Sequence, residues 1–438
     1  MSLMLMICRA IIAGAFWIAT RLSNEIKISG RQYDNGAART YLGMTHKRDL
    51  DPMVLIPTLV FHHGWRRLRG ELRFALRGDG FSPGYLGRIV MQPRWLSRLL
   101  RVLAIGPVLR WLGAYSVEAL LRPGEEWIRE ALQNGGDRPA REVIAPFLLE
   151  ALANTSGESY EQIADARLSH LLSWQYHLPL QHFYGAEAII GAVRRPIQQR
   201  HVTRIKSELA ELDEWLWGGG SLYSSPEGHL TPNGRFSSIN AAFHRLMRAA
   251  PPDTRVVPIV LIYDFMTTQR LRIFIDFAPA IEHTPALPLD KLDAALLTAW
   301  RRYARFTCTQ LASGFLRQAS QEGLTAFSLD DLAKNIHVQA NRLALEGRLV
   351  DARLLSLRGA RKRARSYLAY AERRLLVQKD RHGAYLPTVA ESPMRLRPRE
   401  VGYDQAPLAY ACNELEDMLA FSFDSVTVMI TSPGKRRI

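Results

Sequence analysis

Three periodicities divide the chain. The first run, "LMLMICRAIIAGAFWIA" from Leu3 to Ala19, is apolar except for Arg9. It falls short of the ~20 residues a spanning helix needs. Its arginine lies inside the run and no basic region precedes it, unlike a secretory signal. The pattern predicts a helix lying in a membrane interface, with Trp17 and Arg21 near its wet end. The competing expectation is a buried core helix. "NEIKISGRQY" then alternates as a short strand ending at Gly30.

From about 44 to 277, apolar strand-like runs mix with helical periods. "SLYSS" and "RVVPIVLIYDF" read as strands, the second stopping and restarting around Pro258. "IKSELAELDEWLW" reads as an amphipathic helix ended by Gly218, Gly219 and Gly220. Alternating strands and helices predict an α/β fold, a mixed sheet covered by helices. A Leu-, Ala-, Glu- and Arg-rich stretch at about 118–205 reads as a helical insertion. Beyond about 286 the pattern is helical, and Ser328 with Asp331 marks one helix start. The expected organisation is an interface helix at 1–24, an α/β domain at 25–280 carrying the insertion, and a helical region at 281–438.

Composition narrows the partners. There are 57 Lys and Arg against 42 Asp and Glu among 438 residues, a formal net charge of +15. That favours polyanions: nucleic acid, an anionic membrane surface or phosphate-bearing substrates. Cys8, Cys308 and Cys412 form no CxxC pair, which fits a reducing compartment and argues against structural zinc.

Three stretches carry candidate chemistry. In "GMTHKRDLDPMVL" an imidazole, His46, precedes a carboxylate, Asp51. On a straight helix that offset would separate the side chains by about 140°. They meet only if a turn leads into a helix starting at Pro52, with Asp51 as its N-cap. The carboxylate can then orient the imidazole while its other nitrogen takes a proton. Asp49 is a rival partner. In "SLYSSPEGHLTPNGRF" a strand runs into Pro226-Glu227-Gly228, an ordinary turn or a glycine-permitted approach to a ligand. The third is the Pro258 strand, closing on Tyr263-Asp264.

In this order the stretches resemble the conserved blocks of the glycerolipid acyltransferase superfamily, which includes glycerol-3-phosphate and lysophosphatidic acid acyltransferases. "GPVLRWLGAYSV" at 106–117 resembles the remaining block, and "MVLIPTLVFHHGW" and the closing Tyr-Asp resemble the glycerol-3-phosphate branch. The likeness covers about residues 25–280. It implies a glycerol-phosphate acyltransferase fold and acyl transfer from acyl-CoA or acyl carrier protein to glycerol 3-phosphate in phospholipid synthesis. His46 would be the general base and Asp51 its orienting acid, with no acyl-enzyme, cofactor or metal. Pro226, Glu227, Gly228 and Pro258 would shape the acceptor site. Backbone N–H groups near the turn would hold the oxyanion.

Two departures bear on the acceptor. The second block usually ends in arginine, whereas Glu118 follows Val117 and the first arginine is Arg122. The third usually continues Gly-Thr-Arg, whereas this chain has Gly228-His229-Leu230, with Arg235 as the substitute phosphate ligand. The alternatives are therefore a lysophosphatidic acid or other lyso-lipid acyltransferase, or a catalytically silent membrane-bound relative. The likeness implies a peripheral or monotopic protein on the cytoplasmic membrane face. Arg66, Arg67 and Arg69, or the 358–374 basic run, would supply a lipid-facing surface. Nucleic acid is not an expected partner, although "SLDDLAKNIHVQANRLALEGRLV" could pass for a helix-turn-helix. A serine hydrolase lacks its G-x-S-x-G elbow.

Overall fold

A computed structural model describes residues 3–48, 51–62, 71–77, 106–117, 122–176, 180, 183–228, 231, 233–236, 238–282, 287–324, 326–388 and 406–420. Asp49, Arg66, Arg67, Arg69, Glu118, His229, Leu230 and the basic tail at 433–438 lie outside the described residues. The chain divides into two compact units, one comprising Met1–Arg73 and Trp215–Ile438, the other Phe74–Glu214.

The first unit is built on a mixed sheet. Its strands are β1 (Asn24–Ser29), β2 (Thr40–Met44), β3 (Ser221–Ser224), β4 (Arg255–Asp264), β5 (Leu271–Phe277) and β6 (Ile281–Glu282). The order β1-β5-β4-β2-β3 joins parallel pairs, except that β4 runs antiparallel to β5 and to β6. All five residues of β2 and nine of ten in β4 are buried, so these strands read as apolar runs rather than alternations. β2 has a neighbour on each side, with Gly43 opposite Ser224 on one and Pro258 on the other.

β4 is one continuous strand, which corrects the expected break at Pro258. Within a strand, a residue's N–H and C=O point to the same side. The Pro258 carbonyl accepts from Ala278 N at 2.9 Å, just beyond the last β4–β5 pair, Ile259 with Phe277. The missing donor therefore faces a place where the ladder has already ended, and proline costs no sheet hydrogen bond.

Eight helices of this unit matter here: α1 (Leu3–Ser23), α2 (Asp51–His62), α3 (Ala241–Ala249), α4 (Leu289–Tyr303), α5 (Cys308–Gln321), α6 (Leu329–Leu345), α7 (Leu357–Arg373) and α8 (Pro407–Leu419). α1 outlasts its apolar core by four residues and is long and apolar enough to cross a membrane. Met6, Arg9 and Ala13 are buried along one face, and α1 packs on α2 and β1. Leu3, Met4, Ile7, Ile11, Ile18 and Leu22 are each more than half exposed. The Arg21 guanidinium lies 4.5 Å over the Trp17 ring.

Ser328 caps α6 with Asp331 in a capping box, as its spacing predicts. The helices expected as a separate region at 281–438 belong to the same compact unit as the sheet. That region also carries a hairpin, Val377–Lys379 with Tyr385–Pro387.

The second unit is wider than the predicted insertion. Its helices include Gly124–Gly135, Pro146–Ser156 and Tyr160–Asp165, packed around Trp127, Leu148, Leu152, Ile163, Leu168 and Tyr176. It also holds a parallel pairing, Phe74 opposite Ala114 through Arg77 opposite Val117, so its boundaries enclose more than helix. Gly106–Trp111 is a helix running into the Ala114–Val117 strand.

Candidate active site

The loops after β2, β3 and β4 emerge at adjacent strand ends, where side chains from distant sequence converge in α/β sheets. The loop after β2 carries His46, and α2 begins at Asp51 with Pro52 in its first turn. Asp51 is the first helical residue, and its carboxylate turns back onto the loop rather than capping α2. Its Oδ2 accepts from Lys47 N at 2.6 Å and Arg48 N at 2.9 Å, and lies 3.2 Å from His46 Nδ1. Its Oδ1 accepts a short hydrogen bond from the Tyr263 hydroxyl.

This carboxylate is fully buried, and a buried ionised carboxylate persists only where donors surround it. A carboxylate only accepts, so the proton on the ring belongs at Nδ1. Nε2 is then left with its lone pair, on a side chain about 20% exposed.

The backbone of His46 is fixed separately. Its N–H donates to Glu227 Oε2 at 2.7 Å, and its carbonyl accepts from Thr231 N at 2.7 Å and Thr231 Oγ1 at 2.9 Å. Glu227 is fully buried and Thr231 Oγ1 reaches its Oε1 at 3.4 Å. The sequence placed Glu227 in an acceptor site; in the structure its carboxylate holds the main chain of His46.

The turn around Glu227 needs its glycine. Gly228 has φ +70°, and a Cβ there would lie 1.9 Å from Asn240 Nδ2. Asn240 caps α3 through its side chain, and its N–H donates to Pro226 O at 2.8 Å. The close approach that demands glycine is thus to the α3 cap. The Gly228 N–H is committed to Ser225 O at 3.1 Å. Pro226 packs toward Gly43, where an added Cβ would lie 3.3 Å from the proline ring. Pro258 pairs with Gly43 inside the sheet. Arg235 is half exposed and pairs with Glu416 on α8 at 2.8 Å.

His46, Asp51, Glu227, Pro226 and Gly228 therefore converge, Pro258 supports them from the sheet, and Arg235 is tied to α8. The sequence reading missed Tyr263, Arg48 and Lys47. The Arg48 guanidinium lies 5.0 Å over the Tyr263 ring. Both line a small cavity with Lys47, Phe265, Tyr410 and Glu414. The Tyr-Asp pair closing β4 was the available signal. Consecutive strand residues face opposite sides, so Tyr263 could reach Asp51 only if Asp264 looked the other way.

Among the described residues, no group of three or more His, Cys, Asp or Glu is placed to hold a metal ion. A scan of family models finds none that matches this chain, and a search of curated proteins finds no match either.

Proposed function

We propose that the protein is a membrane-associated acyltransferase of glycerolipid acyltransferase type, moving a fatty acyl group from a thioester to a hydroxyl of glycerol 3-phosphate. The observation that carries this reading is the His46 imidazole, backed at Nδ1 by buried Asp51 on a side chain about 20% exposed. Base and orienting acid in this arrangement are what removal of an alcohol proton requires. The Glu227 contact to His46 N–H supports it further, since it brings the Pro226-Glu227-Gly228 stretch onto the His46 stretch.

In this mechanism His46 Nε2 takes the proton of the acceptor hydroxyl as its oxygen bonds to the thioester carbonyl carbon. Asp51 stabilises the imidazolium that forms. Collapse of the tetrahedral species re-forms the carbonyl and breaks the C–S bond. The imidazolium returns its proton to the departing thiolate, leaving an ester and a free thiol. Lys47 N–H, Arg48 N–H and the Tyr263 hydroxyl hold the Asp51 carboxylate in place beside the ring.

The exposed apolar stripe of α1 fits an acyl-chain enzyme. Its opposite face is committed to the protein at Met6, Arg9 and Ala13, which favours a helix lying in the interface over one crossing the bilayer. Burying Ile7, Ile11, Ile18 and Leu22 in lipid would contribute about 1.5–3 kcal/mol per side chain if complete.

The test is thiol release from an acyl-CoA or acyl carrier protein thioester, measured with and without glycerol 3-phosphate. Release should need the acceptor and fall about 10²–10⁴-fold in His46→Ala, the usual contribution of a general base. Equal release by His46→Ala, or no turnover with glycerol 3-phosphate or any lyso-phospholipid, would overturn the proposal. Preference for a lyso-phospholipid would reassign the acceptor and leave the chemistry in place.

A further inference from the structure

α8 is far from the dyad in sequence, yet it reaches the residue beside the proposed base. Lys47 is almost fully buried, and its ammonium lies 3.2 Å from Glu414 Oε1, itself equally buried. The same ammonium donates to Gly234 O at 3.3 Å and lies 4.6 Å over the Phe236 ring. Its main-chain N–H is one of the donors to Asp51. One residue thus joins the orienting carboxylate through its backbone and α8 through its side chain.

Other ties fix the loop after β3, which the Lys47 ammonium also touches, to α8. Phe236 N donates to Asp417 Oδ2 at 2.9 Å, and Asn413 Nδ2 donates to Asn233 O at 3.1 Å. Gly234, at φ +88°, approaches so closely that a Cβ would lie 2.3 Å from Tyr410 O. Glu414 and Tyr410 also line the cavity beside Tyr263 and Arg48. A buried ion pair is a poor source of stability, because desolvating two charges consumes most of their attraction. It does fix geometry, since neither partner can move without stranding a charge.

We infer that Glu414 is a positioning residue for the proposed acyl transfer, acting through Lys47 to hold Asp51 and His46 in register. The inference rests on the acyltransferase reading for its rate effect but on geometry alone for its effect on the dyad. Glu414 Oε2 also accepts from Gln310 Nε2 on α5 at 2.5 Å, and Glu414 lines the same cavity as Arg48.

Three variants test it: Glu414→Gln, Glu414→Asp, and the double variant Lys47→Met/Glu414→Gln, which strands no charge. Two readouts are used, kcat against KM for the acceptor, and the downfield imidazole proton shared by His46 and Asp51 in the NMR spectrum. Glu414→Gln should lose about tenfold in kcat with KM within about twofold, and should lose or broaden the proton signal; tenfold corresponds to about 1.4 kcal/mol. Glu414→Asp, which keeps the charge but shortens the reach, should fall between and serves if the others do not fold. The double variant should recover the denaturation midpoint but neither the rate nor the signal. Recovery of all three together, or a wild-type signal in Glu414→Gln, would overturn the inference. If no acceptor is turned over by the wild-type protein, the acyltransferase reading fails while the proton signal still decides the role of Glu414.

Discussion

Two neighbouring residues on β4 serve buried carboxylates that differ in one respect. Tyr263 reaches Asp51, whose donors are two backbone N–H groups, a phenol and an imidazole. Asp264, the next residue, accepts from Thr309 N at 3.0 Å, Thr309 Oγ1 at 2.7 Å and Thr307 Oγ1 at 3.3 Å, and forms a short ion pair with Arg363 on α7. Both carboxylates are fully buried and richly bonded. The cation facing Asp264 is permanent, because arginine does not lose its proton in proteins. The partner facing Asp51 is an imidazole, which can carry a proton on one ring nitrogen or on both. A carboxylate locked to arginine can only hold structure. One paired with imidazole can favour a charge that comes and goes, which is what a proton-transfer step uses.

The comparison can be broken from either side. The largest effect expected is at the imidazole: His46→Ala should lower turnover about 10²–10⁴-fold while the denaturant midpoint stays nearly unchanged. The reverse pattern is expected at the other carboxylate. Arg363→Ala strands the Asp264 charge and should cost about 3–5 kcal/mol of stability, read from denaturant unfolding. At permissive temperature the folded fraction should keep its turnover. A large rate loss there without destabilisation would erase the distinction between the two sites.

Tyr263→Phe is the sharper probe, because it removes one donor from Asp51 and leaves the ring. Loss of a hydrogen bond to a charged acceptor is worth about 1.5–3 kcal/mol, so a loss of about tenfold or more in kcat is expected, with the acceptor KM retained. Stability should fall less than in Arg363→Ala. The smallest effect belongs to Gly228→Ala. The αL conformation costs about 1–2 kcal/mol for a residue with a Cβ, and the new methyl must displace the Asn240 amide. A lowered midpoint with a modest rate loss would follow, whereas an unchanged midpoint would show that the turn relaxes freely.

Much of this site was legible in the sequence for local reasons. Pro52 at a helix start and the five-residue offset between His46 and Asp51 required a turn that brings the two together, and it does. The contact of Glu227 to His46 N–H was not legible, because it spans 181 positions and depends on β3 lying beside β2. The strand through Pro258 was misread because sequence cannot say which edge of the residue faces a finished ladder. The extent of the second unit was not legible, since its parallel strand pairing leaves no helical period.

The chain by itself determined the apolar runs that became β2 and β4, the start of α2, the capping box of α6, and the pairing of a base with an acid five residues on. Each is settled by steric preference and hydrogen bonding within a few residues. Tertiary structure alone decided that Tyr263 donates to Asp51, that Glu227 holds the main chain of His46, and that Glu414 on α8 meets Lys47. Those contacts join positions 181 to 367 residues apart. No local propensity encodes such distances; strand register and the burial of charge among matched donors do.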